Sequence, residues 1–210
     1  SMTLDKGVKQ GLVSDYFESG THKKAVEFDK GKVLGSFKEW HANGKLWAEG
    51  TFGGEGDASE PVGAWTSWFE NGAVAAKVDY TAGKATVHAA DGSVWLDLVQ
   101  RDGAWYDSAR DMAVAGAFSN GKANGVWTIT DANGKKVSQT KIKKGVVTGE
   151  ASYWHSTGVL ATHGKHAAGA RTGTWPQWDE TGKLLAVTCY DKGAKLWISF
   201  EAVDAKVSCP

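Results

Sequence analysis

The sequence predicts an all-β protein: an elongated single-sheet antiparallel meander of tandem ~24-residue β-hairpin repeats. Two observations predict it. Each of six opening glycines is followed by another glycine nine residues later, and in five repeats by a third after eleven more. Turn-forming dipeptides also separate segments rich in Trp, Phe, Val and Tyr, which favour strands. The opening glycines, which define position 1 of each repeat, are Gly11, Gly35, Gly63, Gly125, Gly149 and Gly173.

Each repeat is interpreted as one β-hairpin. In the repeat from Gly63, Asn71-Gly72 signals a two-residue turn of type I′, whose central positions both need a positive φ. Asn43-Gly44 and Asn133-Gly134 repeat the signal. The third glycine, as at Gly83, then returns the chain into the next repeat. The repeats therefore predict a continuous meander.

The hairpin register assigns two faces. With a two-residue loop, position 3 pairs with position 16 and position 6 with position 13, and cross-strand partners share a face. One face holds the opening glycine, which a late aromatic ring is expected to cover. It also holds the position-3 aromatics and should be the core. A three-residue loop with a bulge would exchange the faces on one strand. The position-3 aromatics are Phe37, Trp65, Trp127 and Trp175.

The opposite face is mixed in polarity and carries a second aromatic column at position 6. Rings on equivalent strands recur every ~10 Å, and exposed aromatic patches usually mark a partner. The alternative is that Lys and Glu stems, or another copy of the chain, cover the rings. Thr130 breaks the column in the fourth repeat. The candidate ligand-binding residues are Tyr16, Trp40, Trp68, Trp154 and Trp178.

The array is interrupted once. Residues 85–124 fit the repeat poorly, although Asp91-Gly92 and Asp102-Gly103 still indicate hairpin turns. We therefore expect hairpin repeats over 1–84, divergent hairpins over 85–124, and hairpin repeats with a tail over 125–210, as one continuous array.

Composition narrows the function classes. Lys+Arg and Asp+Glu both number 24 in the 210 residues, so the basic excess that usually meets nucleic acid is not visible. Apolar runs are too short for a transmembrane helix. Two cysteines, Cys189 and Cys209, could bridge only if the tail folded back across the sheet, because a simple extra strand would separate them by ~10 Å. Two unpaired thiols remain the alternative.

Chemistry-bearing residues do not form a convincing site. His155, His163 and His166 are close in sequence, but the repeat register points their side chains apart, so no metal or other cofactor is expected. His88, Ser93 and Asp97 could be imagined as a catalytic triad, yet triads depend on geometry that the sequence does not fix. The glycines punctuate turns and lack the strand–loop–helix context of a phosphate loop. We therefore expect a protein that is not an enzyme.

Two repeats carry a family resemblance: GSFKEWHANGKLWAEGTF from Gly35 and GTWPQWDETGKLLAVTCY from Gly173. They resemble MORN-type repeats, specifically the bacterial variant that reads roughly G-x-W-x-x-W/Y-x-x-N-G-x-L. The resemblance covers six repeats and implies a scaffolding or binding role. Members are often labelled as antitoxins of toxin–antitoxin pairs, and others look like envelope or secreted proteins of Gram-negative bacteria.

The expected function is a non-enzymatic binding or scaffolding module with a protein partner. Glycan or cell-wall binding through the tryptophan column is the first alternative, since aromatic rings can stack on sugars. An antitoxin that neutralises a cognate toxin is the second. Export to the periplasm or cell envelope of a Gram-negative bacterium is slightly favoured over a cytoplasmic location.

Overall fold

The computed structural model describes residues 3–54, 59–102, 104–110, 112–200 and 209. Within them, 18 antiparallel strands follow one another in meander order, which confirms the predicted all-β class. No helix long and apolar enough to cross a membrane occurs among these residues. The strands are β1 (Thr3–Asp5), β2 (Val8–Tyr16), β3 (His22–Asp29), β4 (Lys32–Trp40), β5 (Leu46–Gly53), β6 (Glu60–Trp68), β7 (Val74–Asp79), β8 (Lys84–His88), β9 (Val94–Arg101), β10 (Ala104–Asp107), β11 (Met112–Ser119), β12 (Lys122–Thr130), β13 (Lys136–Lys143), β14 (Val146–Trp154), β15 (Leu160–Ala167), β16 (Ala170–Trp178), β17 (Leu184–Asp191) and β18 (Ala194–Ser199).

The chain divides into two compact units, here called lobes. The N-lobe comprises Ser1–Gln100 with Phe118–Lys122, and the C-lobe comprises Arg101–Ala117 with Ala123–Pro210. The first three repeats belong to the N-lobe and the last three to the C-lobe. The stretch predicted to be divergent contributes strands β8 to β11 and the start of β12. The predicted three-segment division of the array stays a prediction.

Turns within the repeats differ from the predicted type I′. At Asn43-Gly44, Gly44 N donates to His41 O at 3.0 Å, and His41 N donates to Lys45 O at 2.9 Å. Gly44 has a φ of 81°, whereas Asn43 is not among the residues with a positive φ. The turn is therefore type I followed by a left-handed glycine, and the type I′ prediction was wrong. Asn43 Oδ1 accepts a hydrogen bond from Lys45 N at 3.0 Å. This bond between the side chain and the backbone two residues later favours the observed loop.

The type I′ turns occur instead between repeats. Lys30 and Gly31 have φ values of 48° and 83°, and Ala168-Gly169 and Lys192-Gly193 show the same pair of positive values. Lys30 N donates to Gln10 Oε1 at 2.8 Å, so a side chain from β2 supports the non-glycine residue in its left-handed conformation. After the third repeat, by contrast, only Gly83 of Thr81-Ala82-Gly83 has a positive φ.

The observed loop changes the register at one end of each hairpin. Phe37 pairs with Gly50 and Gly35 with Phe52, as predicted. A bulge after Glu39 then pairs Trp40 with Leu46, one residue short of the predicted partner Trp47. The open alternative, a three-residue loop with a bulge, is therefore the correct one. The extra residue is confined to the last pair, so the core face keeps its predicted alternation.

The core face is confirmed by burial. Phe37, Trp65, Trp127 and Trp175 are exposed by 2%, 1%, 1% and 0%. Each of the three tryptophans lies over a glycine of the preceding strand, where a Cβ would overlap the indole ring. The ring-covered glycines are Gly50 under Trp65, Gly116 under Trp127 and Gly164 under Trp175.

The expected ring over the opening glycines is wrong. A Cβ at Gly63 or Gly173 would meet nothing within 4 Å, and both glycines have a positive φ. The opening glycine instead forms a bulge: Glu49 pairs with Thr66 but Thr51 with Val62, which leaves two extra residues on β6. The glycine is needed there for backbone conformation.

Part of the divergent stretch packs into the N-lobe. Ser67 Oγ donates to Gly121 O at 3.0 Å. The buried Lys122 ammonium forms an ion pair with Glu39 and lies 4.0 Å from the centre of the Trp47 ring. This turn, residues 118–122, therefore adds a polar tie and a cation–π contact to the lobe.

The two cysteines form a disulfide with a Cα–Cα distance of 5.7 Å. Cys189 is fully buried and pairs with Thr174 of β16, so it lies on the face opposite to Trp175. Val187 and Pro176 are cross-strand partners on that same face and are also buried. The bridge therefore brings Cys209 back to the last repeat, as the fold-back alternative required.

Candidate interaction surface

The five sequence-predicted site residues occupy equivalent places. Each is the last residue of a strand, immediately before the turn within its repeat. Tyr16 is 50% exposed, and the four tryptophans are half-buried. The structure places Tyr16, Trp40 and Trp68 in the N-lobe, and Trp154 and Trp178 in the C-lobe.

The bulge sets the surroundings of these rings. It occurs at position 6 in every one of these repeats and pairs the ring with an apolar residue in four of them. Tyr16 pairs instead with His22. An aliphatic neighbour supports one side of each indole, which explains the half-burial. The four apolar pairs are Trp40 with Leu46, Trp68 with Val74, Trp154 with Leu160 and Trp178 with Leu184.

Histidines extend the aromatic column. In the N-lobe, the His22 ring centroid is 4.6 Å from that of Tyr16 and 5.1 Å from that of Trp40, so the three rings form a row. In the C-lobe, His163 stacks on Trp178 at 5.5 Å with an interplanar angle of 15°. We call these the N-lobe row (Tyr16, His22, Trp40) and the C-lobe pair (His163, Trp178). His163 thus lies on the mixed face.

A second pair of histidines fixes the backbone beside the rings. His41 Nε2 donates to Trp68 O at 3.0 Å, and His155 Nε2 donates to Trp178 O at 2.8 Å. Both histidines occupy position 7, so the same bond joins two successive repeats in each lobe. The sequence analysis did not predict this bond. The shared position was the signal that could have found it.

The imagined triad is not assembled. The Ser93 hydroxyl donates to Asp91 Oδ1 at 2.6 Å, an interaction within one turn. This bond is the main cause that lowers the pKa of Asp91, followed by the Ser93 backbone N–H. His88 Nδ1 is buried without a hydrogen-bond partner. Among the described residues, no group of three or more His, Cys, Asp or Glu side chains could hold a metal ion.

Each lobe also carries a shallow groove. The C-lobe groove crosses β12 to β15 and has a volume of about 420 Å³. The N-lobe groove crosses β6 to β9 with a volume of about 280 Å³, and its charged lining residues are Lys77, Asp79, Lys84 and Asp97. The C-lobe groove is lined by Val126, Gln139, Lys141, Gly149, Glu150, Ser152 and Lys165.

Comparisons with known proteins identify the repeat. The family model of the MORN repeat variant matches residues 34–52 and 171–192, which contain the hairpins β4–β5 and β16–β17. No curated protein sequence matches the chain. Among solved structures, an alternansucrase in complex with isomaltononaose is similar with 15% sequence identity and a TM-score of 0.18. The similarity covers 89% of this chain, which spans 18% of the length of the alternansucrase chain.

Both matched stretches run from the residues before an opening glycine, through the turn within the repeat, to the late aromatic. The remaining repeats share the bulge next to position 6 and the glycine spacing. The two matched hairpins are MORN-type repeats.

Proposed function

We propose that this chain is a non-enzymatic binding module whose repeats hold a protein partner against the mixed face. MORN-type repeats support a binding or scaffolding role. The observation that carries the proposal is the ordered aromatic surface at position 6, which recurs at the same bulge in both lobes. Partly exposed aromatic side chains bury large area at low cost in rotamer entropy, so they often dominate interfaces.

The rings are also held in place before any partner arrives. Apolar cross-strand neighbours support them, and the His41 and His155 bonds fix the backbone carbonyls of Trp68 and Trp178. A surface that is already ordered loses less conformational entropy on binding. The disulfide supports an exported location, because such bonds persist in oxidising compartments.

Glycan binding is the second candidate. It is favoured by partly exposed indole rings on a surface that also carries Gln139, Ser152 and Glu150, side chains that hydrogen-bond hydroxyl groups. The third is neutralisation of a toxin, which is a special case of protein binding.

The test uses two double variants, Trp40→Ala with Trp68→Ala and Trp154→Ala with Trp178→Ala. Ligands come from affinity purification on native lysate, which identifies a protein partner, and from a glycan array, which identifies a sugar. We expect at least tenfold weaker binding in one or both double variants with little change in melting temperature. Val94→Ala is the matched control, because Val94 is 56% exposed but lies outside the column. Unchanged affinity in both double variants would remove the column as the binding surface.

A further inference from the structure

The C-lobe groove differs from the N-lobe groove in charge. Lys141 and Lys165 set two ammonium groups against the single carboxylate of Glu150. The N-lobe groove sets two lysines against two aspartates. Beside the column in the N-lobe, Lys38 and Glu49 also neutralise each other at 3.6 Å. The whole chain has no net charge, so the basic groove is a local feature of the C-lobe.

Lys141 is the groove cation that is available to an anionic ligand. It has no ion-pair partner among the described residues, whereas Lys165 Nζ lies 3.5 Å from Glu150 Oε1. The Lys141 stem passes over Gly149, where its Cδ would be 3.4 Å from an added Cβ. Because the opening glycine has no side chain, it leaves room for the Lys141 stem along the floor of the groove. Val126, paired with Lys141 and 55% exposed, provides an apolar wall beside it.

We propose that the C-lobe groove binds an extended acidic peptide segment of a protein partner, with a ligand carboxylate on Lys141 and a small apolar side chain against Val126. The groove crosses three strand spacings, about 14 Å, which an extended chain spans with about four or five residues. Complementary charge supplies specificity and speeds encounter more than it supplies affinity. Gln139 and Ser152 line the same groove and can bond to the peptide backbone. The inference rests on the proposed function and narrows it to one partner chemistry.

The probe is a library of random linear peptides displayed on phage and selected against the intact chain. Enriched sequences are then synthesised with each acidic residue either kept or replaced by its amide, and affinity is measured by fluorescence anisotropy. We expect the enriched peptides to be acidic, to bind at least tenfold more weakly to Lys141→Glu, and to weaken as salt rises. The matched control, Lys77→Glu in the N-lobe groove, should change affinity less than twofold. Melting curves should show that both variants remain folded.

Three results would overturn the inference: enriched peptides without acidic preference, equal losses from Lys141→Glu and Lys77→Glu, or no enrichment. Failure of the groove inference is distinguishable from failure of the proposed function. If Trp154→Ala with Trp178→Ala abolishes binding of a purified partner while Lys141→Glu does not, the column binds the partner and the groove inference is wrong.

Discussion

The cores of the two lobes have the same geometry and different chemistry. In the N-lobe, the Trp65 ring lies 5.0 Å from Phe52 at 83°. In the C-lobe, the Trp175 ring lies 5.1 Å from His166 at 82°. Position 18 of the repeat that contains the tryptophan holds a tyrosine in both lobes. The Tyr80 ring is 6.4 Å from Trp65, and the Tyr190 ring is 6.3 Å from Trp175.

The comparison teaches that the repeat backbone sets the ring arrangement and leaves the side-chain chemistry free to vary. Position 18 of the repeat before the tryptophan holds Phe52 in the N-lobe and His166 in the C-lobe. The two rings make nearly the same angle with the tryptophan. The C-lobe adds Arg171, whose guanidinium lies 4.3 Å from the centre of the Trp175 ring. The N-lobe has instead the turn at Gly121 packed beside Trp65. Each lobe therefore completes the core with a different group.

The largest expected effect tests whether the two cores are equivalent. Trp65→Ala and Trp175→Ala should each lower the free energy of unfolding by roughly 3–5 kcal/mol, because both rings are fully buried and truncation leaves a cavity. Trp68→Ala and Trp178→Ala are the controls on the mixed face and should cost clearly less. The measurement is urea denaturation. If Trp178→Ala costs as much as Trp175→Ala, the faces have been assigned wrongly.

The next largest effect concerns the ion pair between Lys122 and Glu39 in the N-lobe. Lys122→Met leaves the Glu39 carboxylate partly buried without its cation and should cost about 3 kcal/mol. Replacing both partners, with Glu39→Leu added, should recover most of that loss because an apolar pair needs no compensation. Hydrogen exchange should locate the loosening in the N-lobe strands. Equal loosening of the Trp175 hairpin would contradict the assignment.

The ring-over-glycine contact should be equivalent in the lobes. Gly50→Ala and Gly164→Ala should each cost about 1–3 kcal/mol, because the added methyl overlaps the indole of Trp65 or Trp175. In a Trp65→Leu background the Gly50→Ala penalty should shrink, as expected for residues in direct contact. Gly134→Ala is the control: its φ is 76° with nothing within 4 Å, so its cost is backbone strain alone. A Gly50→Ala penalty unchanged by Trp65→Leu would contradict the contact.

Sequence patterns predicted the parts of this fold that are local and periodic. Glycine spacing gave the hairpins, and position 3 gave the core face. The turn types were exchanged because Asn-Gly is a strong type I′ signal in isolation, whereas the Asn43 side chain caps a different loop. The Lys122–Glu39 pair joins residues 83 positions apart, and no periodicity records such a contact. Position 6 was identified as a column, but its histidine supports depend on packing between neighbouring strands.

The smallest effect is the pH dependence that separates the cores. Burial, then the Arg171 cation, lowers the pKa of His166 below its ordinary 6.5. The folded C-lobe therefore holds a neutral imidazole, and the unfolded chain binds a proton more readily. Stability from this group is complete above about pH 6.5 and is lost as pH falls below that value toward the lower folded pKa.

His166→Phe, which copies Phe52, should remove that part of the acid sensitivity and leave stability near neutral pH almost unchanged. His22→Phe on the exposed row is the matched control and should leave the His166 contribution in place. Melting temperatures measured between about pH 5 and 8 test the difference, with the ring nitrogens followed by NMR. A His166→Phe variant that keeps the full acid sensitivity of the parent would show that protonation of His166 is not coupled to folding. The two cores would then differ in composition but not in their response to protons.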